Sequence, residues 1–112
     1  GGYSSHYMSR DRVRDWDKPS FTIQASGRHA PMHPTCSHFL PVKKDVCKFD
    51  PKAPNPYRRL SVRECARIQT FPDSFKLLYE DVDDGYRFIG NAVPVELAKR
   101  IGESIKKQLK LK

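Results

Sequence analysis

The sequence predicts an α+β fold, a small irregular β region followed by two helices, and three observations carry that prediction. The first half holds short β-branched and aromatic runs, broken by most of the chain's nine prolines. Ser61 with Glu64 three places on is a capping box that opens a helix. Beyond Pro94, apolar residues recur at helical spacing.

Each element follows in order. Phe21-Thr22-Ile23-Gln24-Ala25-Ser26 alternates and is β-branched, so it reads as a strand ended by Gly27. Phe39-Leu40-Pro41-Val42 and Val46-Cys47-Lys48-Phe49 are shorter strand candidates. Pro51, Pro54 and Pro56 make residues 50–57 a stiff, extended connector. The first helix takes Ser61 as N-cap, buries Val62, Cys65 and Ala66 with Ile68 or Gln69, and stops at Phe71-Pro72-Asp73. The second starts near Pro94, whose missing N–H costs nothing in a first turn. Its apolar face is Val95, Ala98, Ile101, Ile105 and Leu109, and Lys106, Lys107, Lys110 and Lys112 complement the macrodipole at its end.

With 112 residues, 38% of them hydrophobic, the chain has room for one small domain with a thin core. Its net charge is +8 and its pI about 9.6, a balance that favours a polyanionic partner. Residues 1–52 carry nine Lys/Arg against five Asp/Glu, and residues 53–112 twelve against eight, so no basic tail explains the total. Three cysteines without framework spacing point to a reducing cytoplasm rather than a secreted disulfide scaffold. No apolar run has membrane-spanning length, so no membrane partner is expected. The chain opens at Gly1-Gly2-Tyr3 without an initiator Met, as a fragment or processed piece would.

Arg10, Arg12 and Arg14 stand at every second position, with Asp11 between the first two and Asp15 just after. On an extended segment the arginines project to one side and the aspartates to the other. Arginine's planar fork matches the O6 and N7 acceptors of guanine, and Arg28 can join the same surface. The same alternation also suits a self-paired surface strand. His29, His33, Cys36 and His38 match no common zinc spacing, and they read as polar loop residues with no metal.

Two longer strings carry a resemblance. Arg58-Arg59-Leu60-Ser61-Val62-Arg63-Glu64-Cys65-Ala66-Arg67-Ile68-Gln69-Thr70-Phe71-Pro72-Asp73 and Gly85-Tyr86-Arg87-Phe88-Ile89-Gly90-Asn91-Ala92-Val93-Pro94-Val95-Glu96-Leu97-Ala98 resemble the last two motifs of DNA (cytosine-5) methyltransferases. The string from Phe21 to His29 is similar to that of the HaeIII-type modification methylases, which modify GGCC sites. The resemblance implies the C-terminal fragment of a two-domain enzyme. Residues 1–57 would be part of its small target-recognition domain, 58–80 a bracing helix and turn, and 81–112 a closing segment and helix packed on an absent cofactor domain.

By resemblance, Arg58, Arg63, Glu64 and Arg67 are structural organisers. Asn91 and the Ala92 N–H lie near the carboxylate of S-adenosyl-L-methionine, and Arg10, Arg12, Arg14 and Arg28 face double-stranded DNA at a GC-rich site. Thr70 departs from the family's usual Gly, and a turn with positive φ would be strained there. The family's Pro-Cys-Gln and Glu-Asn-Val segments, which supply the attacking thiolate and the acid, do not occur in this sequence, so no cysteine is assigned as catalytic and the chain alone is expected to be inactive. Such an enzyme works in the cytoplasm of a bacterial cell, in restriction-modification. Two alternatives stay open: a free-standing basic DNA-binding module, and the recognition subunit of a split methyltransferase. The apolar face of the last helix would be exposed, or covered by an N-terminal catalytic domain, a partner subunit or a second copy in a homodimer.

Overall fold

The computed structural model of the chain describes residues 3–109, so Lys110 and Lys112 lie outside the described residues. Two 3-10 turns, Tyr7–Ser9 and Gly27–His29, precede a hairpin of β1 (Leu40–Lys43) and β2 (Val46–Lys48). Three helices follow: α1 (Val62–Ile68), α2 (Val82–Asn91) and α3 (Val95–Gln108). The architecture is thus α+β, with a small β part ahead of the helices.

The hairpin forms at the two shorter strand candidates, antiparallel, with Leu40 opposite Lys48 and Lys43 opposite Val46. Asp45 turns it at φ 59°, a left-handed conformation that a short acidic side chain tolerates. One core lies beneath it: Tyr7, Val13, Met32, Cys36 and Phe39, with Phe49 stacked on Tyr57 at 4.2 Å between ring centroids. Residues 50–57 are not an extended spacer. Asp50 O accepts from Ala53 N–H at 3.1 Å, Asp50 Oδ1 accepts from Lys52 N–H at 2.9 Å, and Asp50 N–H donates to the Tyr57 hydroxyl at 3.0 Å. These bonds close the segment into a loop.

Phe21–Ser26 forms no strand. Ile23 is buried with Leu60, Val62, Cys65, Ala66 and Ile89 in a second core, and the neighbouring backbone lies on α2 instead of on a sheet. The contact is close: a Cβ on Gly90 would stand 2.4 Å from the Gln24 carbonyl carbon and 2.5 Å from Ala25 Cα. Only glycine permits this approach.

α1 is the expected capped helix. Ser61 Oγ accepts from Glu64 N–H at 3.1 Å, and Glu64 Oε1 accepts from Ser61 N–H at 2.8 Å. α2 is the helix the sequence conceals, because Gly85 and Gly90 lower its propensity and their reason is tertiary. Its own signals are Asp81 as N-cap, Asp83 and Asp84 in the first turn, and Arg87 paired with both. Consequently Gly90 and Asn91 end one helix rather than merely precede another, and Pro94 is the N-cap of α3 rather than its first helical residue.

Thr70 adopts φ 61°, the strained turn its position predicts. Its hydroxyl has a task that glycine lacks: Oγ1 accepts from Glu96 N–H at 2.8 Å, while Gln69 O accepts from Val95 N–H at 3.0 Å. The turn that ends α1 thereby caps α3. No residue of α3 is buried, and Leu97, Ile101 and Ile105 remain about half exposed.

Candidate nucleic-acid interface

The segment around Arg10 folds back on the first 3-10 turn. Arg12 is the one buried charged residue among the described residues, 6% exposed. Its Nε donates to Tyr7 O at 2.8 Å and its Nη2 to His6 O at 2.9 Å, with the guanidinium 4.9 Å from the Tyr7 ring centroid. Desolvation pulls its pKa below the usual arginine value, with the Arg10 charge adding to the effect. Arg12 and exposed Arg10 line one concavity of about 260 Å³ with Thr22, Gln24 and His29. Arg14 does not share it. Its guanidinium stacks 4.0 Å from the Phe21 ring centroid and lines a second concavity with Trp16, Lys18, His33 and Arg67. The expected single-sided row of three therefore holds for two.

Arg28 is exposed on a third surface, beside Arg58, Arg59 and Tyr86. It adjoins the first concavity only through its chain neighbour His29. Among the described residues no ion pair holds Arg10, Arg12, Arg14 or Arg28. Trp16, 72% exposed, is a candidate that the charge pattern alone misses. An exposed indole among cations suits a nucleobase, and its setting between two aspartates hides that in the sequence.

Alongside these surfaces the expected organisers form a frame. Arg58 Nη1 and Nη2 donate to the two Glu64 carboxylate oxygens at 2.8 and 3.0 Å, and His33 Nε2 lies 3.1 Å from Glu64 Oε2. The Arg58 hydrogen bonds hold the Glu64 carboxyl down at about 2, against its partial burial. Arg63 donates to Phe75 O at 2.9 Å, and Arg67 makes a two-bond pair with Asp73 at 2.9 and 3.2 Å. All four thus tie α1 to the segments before and after it.

At the α2–α3 joint, the Ala92 N–H expected to meet a cofactor donates instead to Ile89 O at 3.2 Å, closing α2. Ala92 O accepts from Gln69 Nε2 at 3.2 Å. The Ala92 backbone is therefore committed, whereas Asn91 is exposed beside it. His33 pairs with Thr35 and Glu64, and His38 with Asp11 and Asp15. Among the described residues no group of three His, Cys, Asp or Glu side chains is arranged to hold a metal.

Comparison with known proteins places this geometry. Residues 1–107 match the family described as C-5 cytosine-specific DNA methylase. The chain belongs to that family. It is 61% identical over 109 residues to the Type II methyltransferase M.MthTI of Methanothermobacter thermautotrophicus, a match covering 97% of this chain and 33% of the relative. Type II methyltransferase M.FnuDI of Fusobacterium nucleatum is 52% identical over 97% of this chain and 32% of its own length. DNA (cytosine-5)-methyltransferase 1 of Rattus norvegicus is 53% identical over 47% of this chain and 3% of its own length. The chain spans about a third of the length of the first three Type II relatives it matches and 17% to 27% of three others.

A cysteine acts as a nucleophile only where its thiol is accessible and its pKa is lowered. Cys65 is wholly buried, and burial pushes its thiol up to about 12, so it stays protonated at neutral pH. Cys36 is buried with its sulfur 3.4 Å from the Arg58 N–H that donates to it. Among the described residues no helix is long and apolar enough to cross a membrane.

Proposed function

We propose that the chain is the C-terminal, target-recognising part of a DNA (cytosine-5) methyltransferase of restriction-modification type. The whole enzyme methylates C5 of a cytosine flipped from double-stranded DNA at a specific, GC-rich site. The observation that carries this reading is the concavity shared by Arg10 and Arg12 in a member of this family. An arginine clamped by two backbone carbonyls is already oriented, so it loses little freedom on meeting a guanine edge. Arg10 and Arg28, free of ion pairs among the described residues, supply further contacts to base or phosphate, and Arg14, Trp16 and Lys18 extend the surface.

S-adenosyl-L-methionine supplies the methyl group when bound. Asn91, exposed at the end of α2, is the residue this chain offers to its carboxylate, and the committed backbone of Ala92 is not. The thiolate comes from outside these residues, a reading supported by the burial of Cys65 and Cys36 and by the packing of half-buried Cys47 against the first core. The chain alone is therefore inactive. Its partner is the remainder of the methyltransferase, which covers the apolar face of α3.

Gel shifts with Arg10→Ala and Arg28→Ala test recognition. Each is expected to lose about 1–3 kcal/mol on guanine-containing duplexes and little elsewhere. An equal loss on every sequence means phosphate contact only. Methyl transfer from labelled S-adenosyl-L-methionine by the chain alone would refute the reading.

A further inference from the structure

In sequence, the arginines of residues 10–14 stand among aspartates, an arrangement that invites self-pairing. The fold prevents it. Asp11 Oδ1 accepts from Val13 N–H at 3.0 Å and Phe39 N–H at 3.2 Å, and Asp11 Oδ2 meets Nδ1 of His38 at 2.5 Å. Asp15 Oδ1 meets Nε2 of the same ring at 2.6 Å. One imidazole thus spans both carboxylates, and among the described residues none of Arg10, Arg12 and Arg14 is in an ion pair.

Building on the DNA-binding reading above, we propose that His38 is the positioning residue of the DNA-reading segment: by taking Asp11 and Asp15 as its own partners, it denies them to Arg10 and Arg14 and ties the segment to the strand that begins at Leu40. The guanidiniums are then available to a polyanion, and two negative charges beside them are partly neutralised.

Holding both carboxylates requires both ring nitrogens to donate, which only the imidazolium does. The hydrogen bonds to Asp15 and Asp11 raise the pKa of His38 above its usual value, and these two aspartates supply the charges acting on the ring. Because the shift is upward, the clamp is complete below about 6.5 and is lost as pH rises through the raised folded value. Beyond that point the neutral ring keeps one N–H, and one carboxylate is released among the arginines.

The test measures affinity of the full chain for a guanine-containing duplex by fluorescence anisotropy, at about pH 6 and about pH 8.5, values that bracket the histidine range. Wild type is expected to weaken roughly three- to tenfold between them, the scale of one or two exposed charges. His38→Gln should bind at the lower pH as weakly as wild type at the higher one. Asp15→Asn should change wild type at the lower pH by less than about twofold, yet restore most of the affinity lost in His38→Gln. An equal gain from Asp15→Asn in both backgrounds, or an unchanged pH profile in His38→Gln, overturns the proposal.

An NMR titration of the four histidine rings tests the clamp without DNA. The His38 midpoint should lie above the usual imidazole value of about 6.5 and should fall in Asp15→Asn, and a midpoint at or below that value overturns the clamp whether or not DNA binds. Failure of wild type to bind DNA at either pH refutes the DNA-binding reading instead, and the ring titration still decides the role of His38.

Discussion

α1 and α3 are helices of one small protein built on opposite terms. α1 has 7 residues, buries Val62, Cys65 and Ala66, and is capped by its own Ser61 and Glu64. Arginines at 58, 63 and 67 fasten it to the chain on either side. α3 has 14 residues and buries none. What this chain gives it is a beginning, through the Gln69–Thr70 turn, while its apolar face stays open. The shorter helix is complete within the chain, and the longer one leaves its apolar face uncovered. Helix length is thus a poor guide to which helix holds this fold together; burial decides it.

The contrast can be broken most severely at Gly90, where α2 meets the Gln24–Ala25 backbone in the core that α1 shares. Gly90→Ala places a Cβ at 2.4 Å from that backbone, and a loss of about 3 kcal/mol is expected in urea denaturation. Next comes Glu64→Gln, which leaves an amide oxygen for the capping box but removes the two-oxygen, charged pair with Arg58, and should cost about 1–2 kcal/mol. The pH dependence has a fixed sign. Because the Glu64 carboxyl is held at about 2, its contribution is present above the unfolded value near 4.5 and is lost as pH falls between the two. Urea midpoints taken from pH 6 down to about pH 2.5 should fall for wild type more than for Glu64→Gln.

Thr70→Val sharpens the comparison. It keeps the β-branched shape at positive φ but removes the acceptor for Glu96 N–H, a cap contact of about 1 kcal/mol, so α3 should fray and the helical circular dichroism signal should fall. Smallest is the effect of Ile101→Ser with Ile105→Ser. Both positions are about half exposed, and the pair should alter the stability of the chain by less than about 0.5 kcal/mol. On the proposed function, the same pair should weaken association with the rest of a methyltransferase, measured by co-purification.

Local chemistry was legible in the sequence. The α1 cap lies within four residues, and the hairpin is announced by two short apolar runs flanking Lys44-Asp45. What escaped depends on distant partners. The glycines of α2 look like helix breakers until Gln24 and Tyr79 are found against them. Phe21–Ser26 has strand alternation, yet its neighbour is a helix rather than another strand. At the candidate site the arginines were visible by type and spacing. The carbonyls of His6 and Tyr7 that clamp Arg12 were not, nor was His38, 27 residues from Asp11, as the partner that draws the aspartates away.

Native-state amide hydrogen exchange on the chain tests the contrast between α1 and α3 most directly. Amides in α1 should exchange only through the unfolding of the chain, whereas those in α3 beyond Ala98 should exchange far faster, through local fraying in a monomer. Equal protection of the two helices in a monomer would contradict the account, because it would mean that the face of α3 is already covered by the chain's own residues.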